Sequence, residues 1–384
     1  MGFLERFNTL VNIIIRAIRG DYMKKVLIIG YMHLKYDKRV YRTVQALSKY
    51  AKVIYQYFMK EKESEYEEGN VRYVPIEKRS EPTKNILARL QRRRKFDNQV
   101  VDLIKNTDFD ILYMHDFLLS KPIEPFEYAR SIGKRVVYDI HEYHPEDFLW
   151  ILSGPAGRLS TNVVRRLFER QIDLSDKLIF VSPELMRYSL GGRKKDVLIV
   201  PNYASMAVCS REKNKEIVFV GKTARVLGDQ EQVIKKLINE GFIFKIIGME
   251  PGAFSNIEHV YTGFLPYDEM MKEVSKAAFS LASFKSMGRE DYKNDLWALP
   301  NKFYDSIAAG TPVVVMQSSV SMSKIVEELG IGVVIEPKDV EGSVKKILDA
   351  YDNYDKLVDN VERHKSKFVW DETKEKEFVE FVLG

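Results

Sequence analysis

The sequence predicts an α/β protein of two doubly wound domains with a cleft between them, preceded by an amphipathic helix. Three observations predict it. Short apolar runs recur along the chain with helix-patterned segments between them, the rhythm of βαβ units around a parallel sheet. That rhythm lapses near residue 203 and restarts near 216, so there are two series rather than one. At 384 residues the chain is long enough to give each series its own core.

The first element is MGFLERFNTLVNIIIRAIRG. Wound as a helix, it gathers Glu5, Asn8, Thr9, Asn12, Arg16 and Arg19 on one arc and Phe3, Leu4, Phe7, Leu10, Val11, Ile14, Ile15 and Ile18 on the other. A wide apolar arc with more arginine than glutamate suits a helix lying in an anionic membrane interface. The same pattern suits a helix packed on the protein or on a second subunit. Glu5 and Asn12 interrupt the segment, which argues against a secretory signal.

The first strand series follows: VLIIG at 26–30, then VIYQYF, DILYMHD, RVVYDIH, DKLIFVS and VLIVPN. The stretch ASMAVCSREKNK lacks periodicity and reads as a linker. The second series is EIVFVG at 216–221, then FKIIG, HVYTG, AAFSLAS, TPVVVM and GVVIEP. The expected division is therefore residues 1–20 amphipathic helix, 24–202 first domain, 203–215 linker, 216–360 second domain and 361–384 a C-terminal helix packing back on the first.

Charge is unevenly spread. Residues 1–200 carry 36 Lys+Arg against 26 Asp+Glu, and the remainder 24 against 29. The basic half is suited to an anionic partner: a membrane, a phosphate or nucleic acid. LARLQRRRKF (87–96) concentrates Arg89, Arg92, Arg93, Arg94 and Lys95 on one helix, as a solvated face or as an extension of a membrane-facing surface. No recognisable nucleic-acid motif accompanies it. A single cysteine, Cys209, excludes an intrachain disulfide. No apolar run approaches the roughly 18 residues of a membrane span.

The most informative stretch is ALPNKFYDSIAAGTPVVV, 298–315. Pro300 suits a first helical turn, Gly310 a position just past the helix end, and Pro312 a stop. Phe303 and Ile307 then face the core. Asn301, Asp305, Ala308 and Ala309 lie opposite, with Lys302 at the edge. The N–H groups of residues 301–303 can hold a phosphate. The Asp305 carboxylate, flanked by small residues, can accept both hydroxyls of a ribose. Pairing with the helix dipole and with Lys302 is the competing role for that acid.

This stretch resembles the nucleotide-sugar-binding segment of family 4 glycosyltransferases of the GT-B fold, which has two Rossmann-like domains. Other segments are similar in the same order: RVYRTVQALSKYAKVIYQY, VVYDIHEYHPE, LFERQIDLSDKLIFVSPEL, VLIVPNY, IVFVGK, TGFLPYDEM and FVWDE. The resemblance spans about residues 24–375. It implies a retaining, metal-independent transfer from a nucleotide-diphosphate sugar to an acceptor, without a cofactor. Asp305 is implied as the ribose-binding acid. His141 is implied to contact the donor sugar in the cleft, and Glu142 is a candidate to orient the acceptor hydroxyl. Pro300, Asn301, Lys302, Gly221, Lys222 and Arg225 are the donor and diphosphate candidates.

Two departures stand out. Trp297 occupies the place of the family's donor-sugar acid; Asp295, a cleft candidate, Asp291 and Glu290 are the candidates to replace it, though none is in register. Leu227 occupies the place of its diphosphate lysine. His115 and Asp116, ending another strand, are further cleft candidates. Asp37 and Arg39 read as a helix-start acid and a structural ion pair. His141, Glu142, His144 and Glu146 lack zinc-hydrolase spacing, and no metal is expected. Gly30 opens no dinucleotide fingerprint.

The expected acceptor is a carbohydrate or a lipid-linked glycan at the cytoplasmic membrane face, in polysaccharide or glycolipid assembly. A nucleotide-sugar epimerase on the same scaffold and a non-catalytic nucleotide- or nucleic-acid-binding module are the alternatives. An epimerase turns over donor alone. Sequence-independent nucleic-acid binding weakens steeply with salt.

Overall fold

The computed structural model describes residues 23–59, 63–77, 85–116, 118, 120–147, 154–208, 212–221, 227–228, 230–248, 254, 256–282 and 292–384. The helix expected over residues 1–20 lies outside these, as do Cys209, Lys222, Arg225, Glu290 and Asp291.

All twelve apolar runs form strands. Among the described residues the first sheet has eight: β1 (Lys25–Leu34), β2 (Lys52–Met59), β3 (Tyr66–Glu68), β4 (Val71–Glu77), β5 (Ile111–Met114), β6 (Arg135–Ile140), β7 (Lys177–Phe180) and β8 (Asp196–Ile199). Their order is β3-β4-β2-β1-β5-β6-β7-β8. The second has six: β9 (Asn214–Val220), β10 (Ile243–Ile247), β11 (Val260–Tyr261), β12 (Ala277–Leu281), β13 (Val313–Met316) and β14 (Gly332–Ile335), ordered β11-β10-β9-β12-β13-β14.

Two strands were not read from the sequence. Pro75 hid β4, and β3 has only three residues. β3 pairs antiparallel with β4 from Tyr66↔Tyr73 to Glu68↔Val71, so Pro75 lies beyond the hairpin and, among the described residues, pairs only with Tyr57 of β2. A proline is tolerated where one side of its strand is open.

The helices that matter below are α1 (Lys38–Ser48), α2 (Ile86–Asn106), α3 (Glu124–Ser131), α4 (His144–Asp147), α5 (Gly154–Leu174), α6 (Pro183–Leu190), α7 (Gln230–Asn239), α8 (Tyr267–Lys276), α9 (Lys293–Leu296), α10 (Asn301–Ala308), α11 (Val320–Leu329), α12 (Val340–Asp352), α13 (Tyr354–His364) and α14 (Glu372–Leu383). No helix among the described residues is long and apolar enough to cross a membrane.

The chain packs as two compact units. One comprises Met1–Asp139, Arg170–Leu178 and Val379–Gly384; the other comprises Ile140–Glu169 and Ile179–Phe378.

In the first unit, Val26, Leu27, Ile28 and Ile29 of β1 are fully buried, as expected of a central parallel strand. The last turn of α14 is held at the N-terminal ends of these strands. Arg135 donates to the carbonyls of Val382 and Leu383 at 3.4 and 3.3 Å, Lys177 to Phe381 at 2.5 Å, and Lys24 to Leu383. Cations on the terminal carbonyls satisfy acceptors that a helix leaves open and oppose its negative dipole end.

Asp37 does begin a helix: its Oδ1 accepts from the Arg39 and Val40 N–H groups at 3.2 and 3.3 Å. Arg39 also makes an ion pair with Asp139. Nε and Nη2 reach the two carboxylate oxygens at 3.2 and 2.6 Å, both residues being buried. One hundred residues separate the partners, so no local spacing rule finds them.

The basic run of α2 is not uniformly solvated either. Arg93 lies 3.7 Å from the buried Asp97 and its guanidinium sits 5.0 Å from the Tyr31 ring centre. Arg89, Arg94 and Lys95 are exposed beside Leu87 and Leu90, which are 70% and 60% exposed.

In the second unit a core of Ile217, Phe219, Leu237, Phe242, Phe244, Phe279 and Leu281 fills one side of the sheet. On the other side Val218, Ile247, Met270, Met271, Val274, Ala308 and Ala309 pack together. Burying a side chain the size of Phe244 contributes about 2–3 kcal/mol.

Candidate functional site

Open α/β sheets place their ligands beyond the carboxyl ends of the strands, where the strand order reverses. The second sheet reverses at β9, since β10 continues to one side and β12 lies on the other. Gly221 closes β9, its N–H bonded to the Ile247 carbonyl at 3.0 Å. Gly248 closes β10 with φ +81°, and a Cβ there would stand 2.8 Å from the Gly221 carbonyl oxygen. Only glycine allows the two strand ends to approach so closely.

α10 starts one residue later than its proline suggested. Pro300 is the N-cap residue, and the helix runs Asn301–Ala308 with Gly310 in the left-handed conformation at φ +73°. Lys213 donates to the Gly310 carbonyl at 2.9 Å, to Thr311 Oγ1 at 3.3 Å and to the Ser275 carbonyl at 2.6 Å, tying the helix end to α8. Of the three N–H groups offered for a phosphate, that of Phe303 is already bonded to the Pro300 carbonyl at 3.0 Å. Asn301 is exposed and Lys302 half-buried. The ammonium of Lys302 sits 3.7 Å from the Phe219 ring centre.

Phe303 and Ile307 face the core as expected, but the opposite side is not open along its length. Ala308 and Ala309 are fully buried against α8 and the sheet. Their small size admits Met271 and Val274 rather than a ligand.

Asp305 is 6% exposed, and its Oδ1 accepts from the Tyr267 hydroxyl at 2.6 Å. Burial and the adjacent carboxylate both push the Tyr267 phenol well above its ordinary pKa, so it remains a donor. That hydroxyl also accepts from the Ser205 N–H at 3.1 Å. Sequence reasoning missed Tyr267, although TGFLPYDEM contains it, because 38 residues separate it from its partner.

The residues after β6 and before α10 are stitched together. Tyr143 donates its N–H to Asn294 Oδ1 at 2.6 Å. The buried Glu146 carboxylate accepts from the Lys293 N–H at 2.6 Å and from its ammonium at 2.5 Å. His141 is half-buried, Glu142 exposed and Asp295 half-buried on α9. His144 is buried, its ring 5.7 Å edge-on to Phe168. Trp297 lies 4.7 Å from Tyr188 and 6.5 Å from Tyr143, ring centre to ring centre.

The first sheet reverses at β1, with β2 on one side and β5 on the other. Beyond Gly30, Tyr31 adopts φ +54°, a strained conformation for a bulky residue. Gln56 Oε1 accepts its N–H at 2.8 Å and Asp97 its hydroxyl at 2.6 Å. Asp97 also accepts from the Ser120 N–H and hydroxyl. No pattern in the sequence signals this buried network.

His115 is buried, its Nδ1 3.4 Å from Asp139 Oδ2, which also accepts from the Tyr113 hydroxyl at 3.0 Å. With Arg39 on the same carboxylate, both of its oxygens are engaged by donors. Asp116 is half-buried next to it in sequence.

His33 Nδ1 lies 3.2 Å from Asp37 Oδ2. Burial alone disfavours its charged form, yet the hydrogen bond and charge of Asp37 raise its pKa above 6.5. A raised pKa means stabilisation that is complete below the unfolded value and lost as pH rises through the folded one. His33→Gln is therefore expected to lower Tm at about pH 6 and to leave it nearly unchanged at about pH 8.5. Equal Tm losses at both pH values would exclude this pair as the cause.

Two Rossmann-like sheets, parallel apart from β3, match the GT-B fold of solved glycosyltransferase structures. Sucrose-phosphate synthase from Thermosynechococcus elongatus superposes with TM-score 0.67 at 11% identity, over 93% of this chain and 98% of that one. WaaG, a glycosyltransferase involved in lipopolysaccharide biosynthesis, gives 0.62 at 11% identity, over 94% and 100%. An E. coli structure titled trehalose-6-phosphate bound with UDP-2-fluoro glucose gives 0.61 at 13% identity, over 93% and 98%. Residues 217–374 match the family described as "Glucosyltransferase 3-like, C-terminal domain". No curated protein sequence matches the chain.

Proposed function

We propose that this protein is a glycosyltransferase that moves a sugar from a nucleotide-diphosphate sugar to an acceptor hydroxyl, with retention and without a metal. The observation that carries the reading is the glucosyltransferase 3-like match over residues 217–374, because that segment contains α10 and Asp305. Solved structures of the same fold are titled as complexes with UDP-2-fluoro glucose and with UDP-L-rhamnose, which supports a nucleotide-sugar donor.

In this reading residues 216–360 hold the donor and residues 24–202 the acceptor. Asp305, held by Tyr267, binds the ribose. The first N–H groups of α10, Lys302, Lys222 and Arg225 offset charge developing on the leaving diphosphate. His141 contacts the donor sugar and Glu142 orients the acceptor hydroxyl. The acceptor is a carbohydrate or lipid-linked glycan in polysaccharide or glycolipid assembly, reached from the cytoplasmic face of the membrane.

A thermal-shift screen against UDP-, GDP-, ADP- and CMP-sugars tests the donor, since a ligand selective for the folded state raises Tm. One base is expected to stand out; no shift with any of them overturns the reading. Incubation with that donor alone tests the epimerase alternative by whether the sugar is converted without an acceptor.

Membrane attachment is tested separately. Deleting residues 1–20 is expected to release the protein from anionic liposomes while donor binding persists. Undiminished liposome binding removes the helix from that role.

A further inference from the structure

We propose that Tyr188 and Trp297 form a stacking platform for the apolar C–H face of a pyranose ring; this rests on the glycosyltransferase reading and names its sugar subsite. The rings touch with centres 4.7 Å apart at 50°. Tyr143, 7% exposed, packs edge-on against both, 4.9 Å from Tyr188 and 6.5 Å from Trp297. It is itself braced edge-on by Phe168 at 5.7 Å. Tyr188 remains 47% exposed and Trp297 half-buried. Large aromatic rings left half in water on a supported base are the form that ligand surfaces take.

Position gives the platform its ligand. Trp297 stands four residues before Asn301, the first residue of the helix that carries Asp305. Tyr143 stands two residues after His141. The platform thus joins the two segments that supply the donor-site candidates.

Its rigidity follows from the bonds on either side. Glu146 fixes Lys293, and Tyr143 fixes Asn294, on the segment that delivers Trp297. The Lys293 ammonium also lies 5.5 Å from the Tyr188 ring centre. A site held in place before binding loses less entropy on binding. Pyranoses in gluco configuration carry their axial hydrogens on the ring faces, so such a platform favours them over sugars with axial hydroxyls.

The pyranose can belong to the donor or to the acceptor. UDP and UDP-glucose are titrated calorimetrically into the full chain and into Trp297→Ala, Trp297→Phe and Tyr188→Ala, with Tm confirming folding. In a parallel arm maltotriose binding is followed by saturation-transfer NMR.

A donor platform predicts that both alanine variants lose about tenfold of the affinity advantage of UDP-glucose over UDP, that UDP binding is unchanged, and that Trp297→Phe retains most of the advantage. An acceptor platform predicts an unchanged advantage and loss of the maltotriose signal in the alanine variants. The inference is overturned if folded alanine variants match wild type in both arms, or if wild type shows neither a UDP-glucose advantage nor a maltotriose signal. Failure of wild type to bind UDP while maltotriose binds through these rings tells against the donor reading alone.

Discussion

Asp305→Asn is expected to weaken nucleotide-sugar binding by roughly 100-fold while leaving Tm within about 2 °C of wild type. The asparagine has nearly the same volume. Its amide oxygen can still accept the Tyr267 hydroxyl, which lies 2.6 Å from Asp305 Oδ1. What is lost, in the proposed reading, is the negative charge offered to the ribose hydroxyls. Charge-assisted hydrogen bonds contribute about 1.5–3 kcal/mol each, and about 2.7 kcal/mol is 100-fold.

Tyr267→Phe separates positioning from contact. It keeps the carboxylate but removes its anchor, so a smaller loss, about tenfold, is expected. Calorimetric titration of the donor selected in the thermal screen measures both. Affinity within twofold of wild type in a folded Asp305→Asn protein would falsify the ribose assignment.

Asp139→Ala is expected to destabilise the first unit by about 3–5 kcal/mol, seen as a fall in Tm of about 10 °C. The carboxylate receives Arg39 through two nitrogens, at 2.6 and 3.2 Å, and the Tyr113 hydroxyl at 3.0 Å. Removing it leaves a guanidinium, 5% exposed as a residue, without its counter-charge. A buried pair costs far more to halve than to replace. The double variant Arg39→Met/Asp139→Leu is therefore expected to recover most of the loss. A single variant within about 1 kcal/mol of wild type would show that water reaches the pair.

The architecture was legible because each central strand is apolar along its length. Runs such as VLIIG and TPVVVM carry their burial in their composition. The α10 helix was legible too, since Pro300 and Gly310 mark its ends by local backbone constraint.

What stayed hidden depends on partners distant in sequence. Arg39 looked like the partner of Asp37 alone until β6 brought Asp139 beside it. Ala308 and Ala309 looked like space for a ligand until α8 filled it. Trp297 looked only like the absence of an acid. Its ring neighbours, Tyr188 and Tyr143, come from more than one hundred residues earlier. β4 was hidden for the opposite reason: a local signal, Pro75, argued against a strand that the open edge tolerates.

The grip of Lys24, Arg135 and Lys177 on the carbonyls of residues 381–383 sets an order of events during synthesis. Two hundred residues separate Leu178 from Val379, the neighbouring segments of the first unit. At about 5–20 residues per second the ribosome needs roughly 10–40 s to cross that interval. Throughout it, the nascent first unit presents three cations whose helix has yet to be made. The first unit is thus completed only after the second has been made, and until then it is incomplete and open to capture by chaperones.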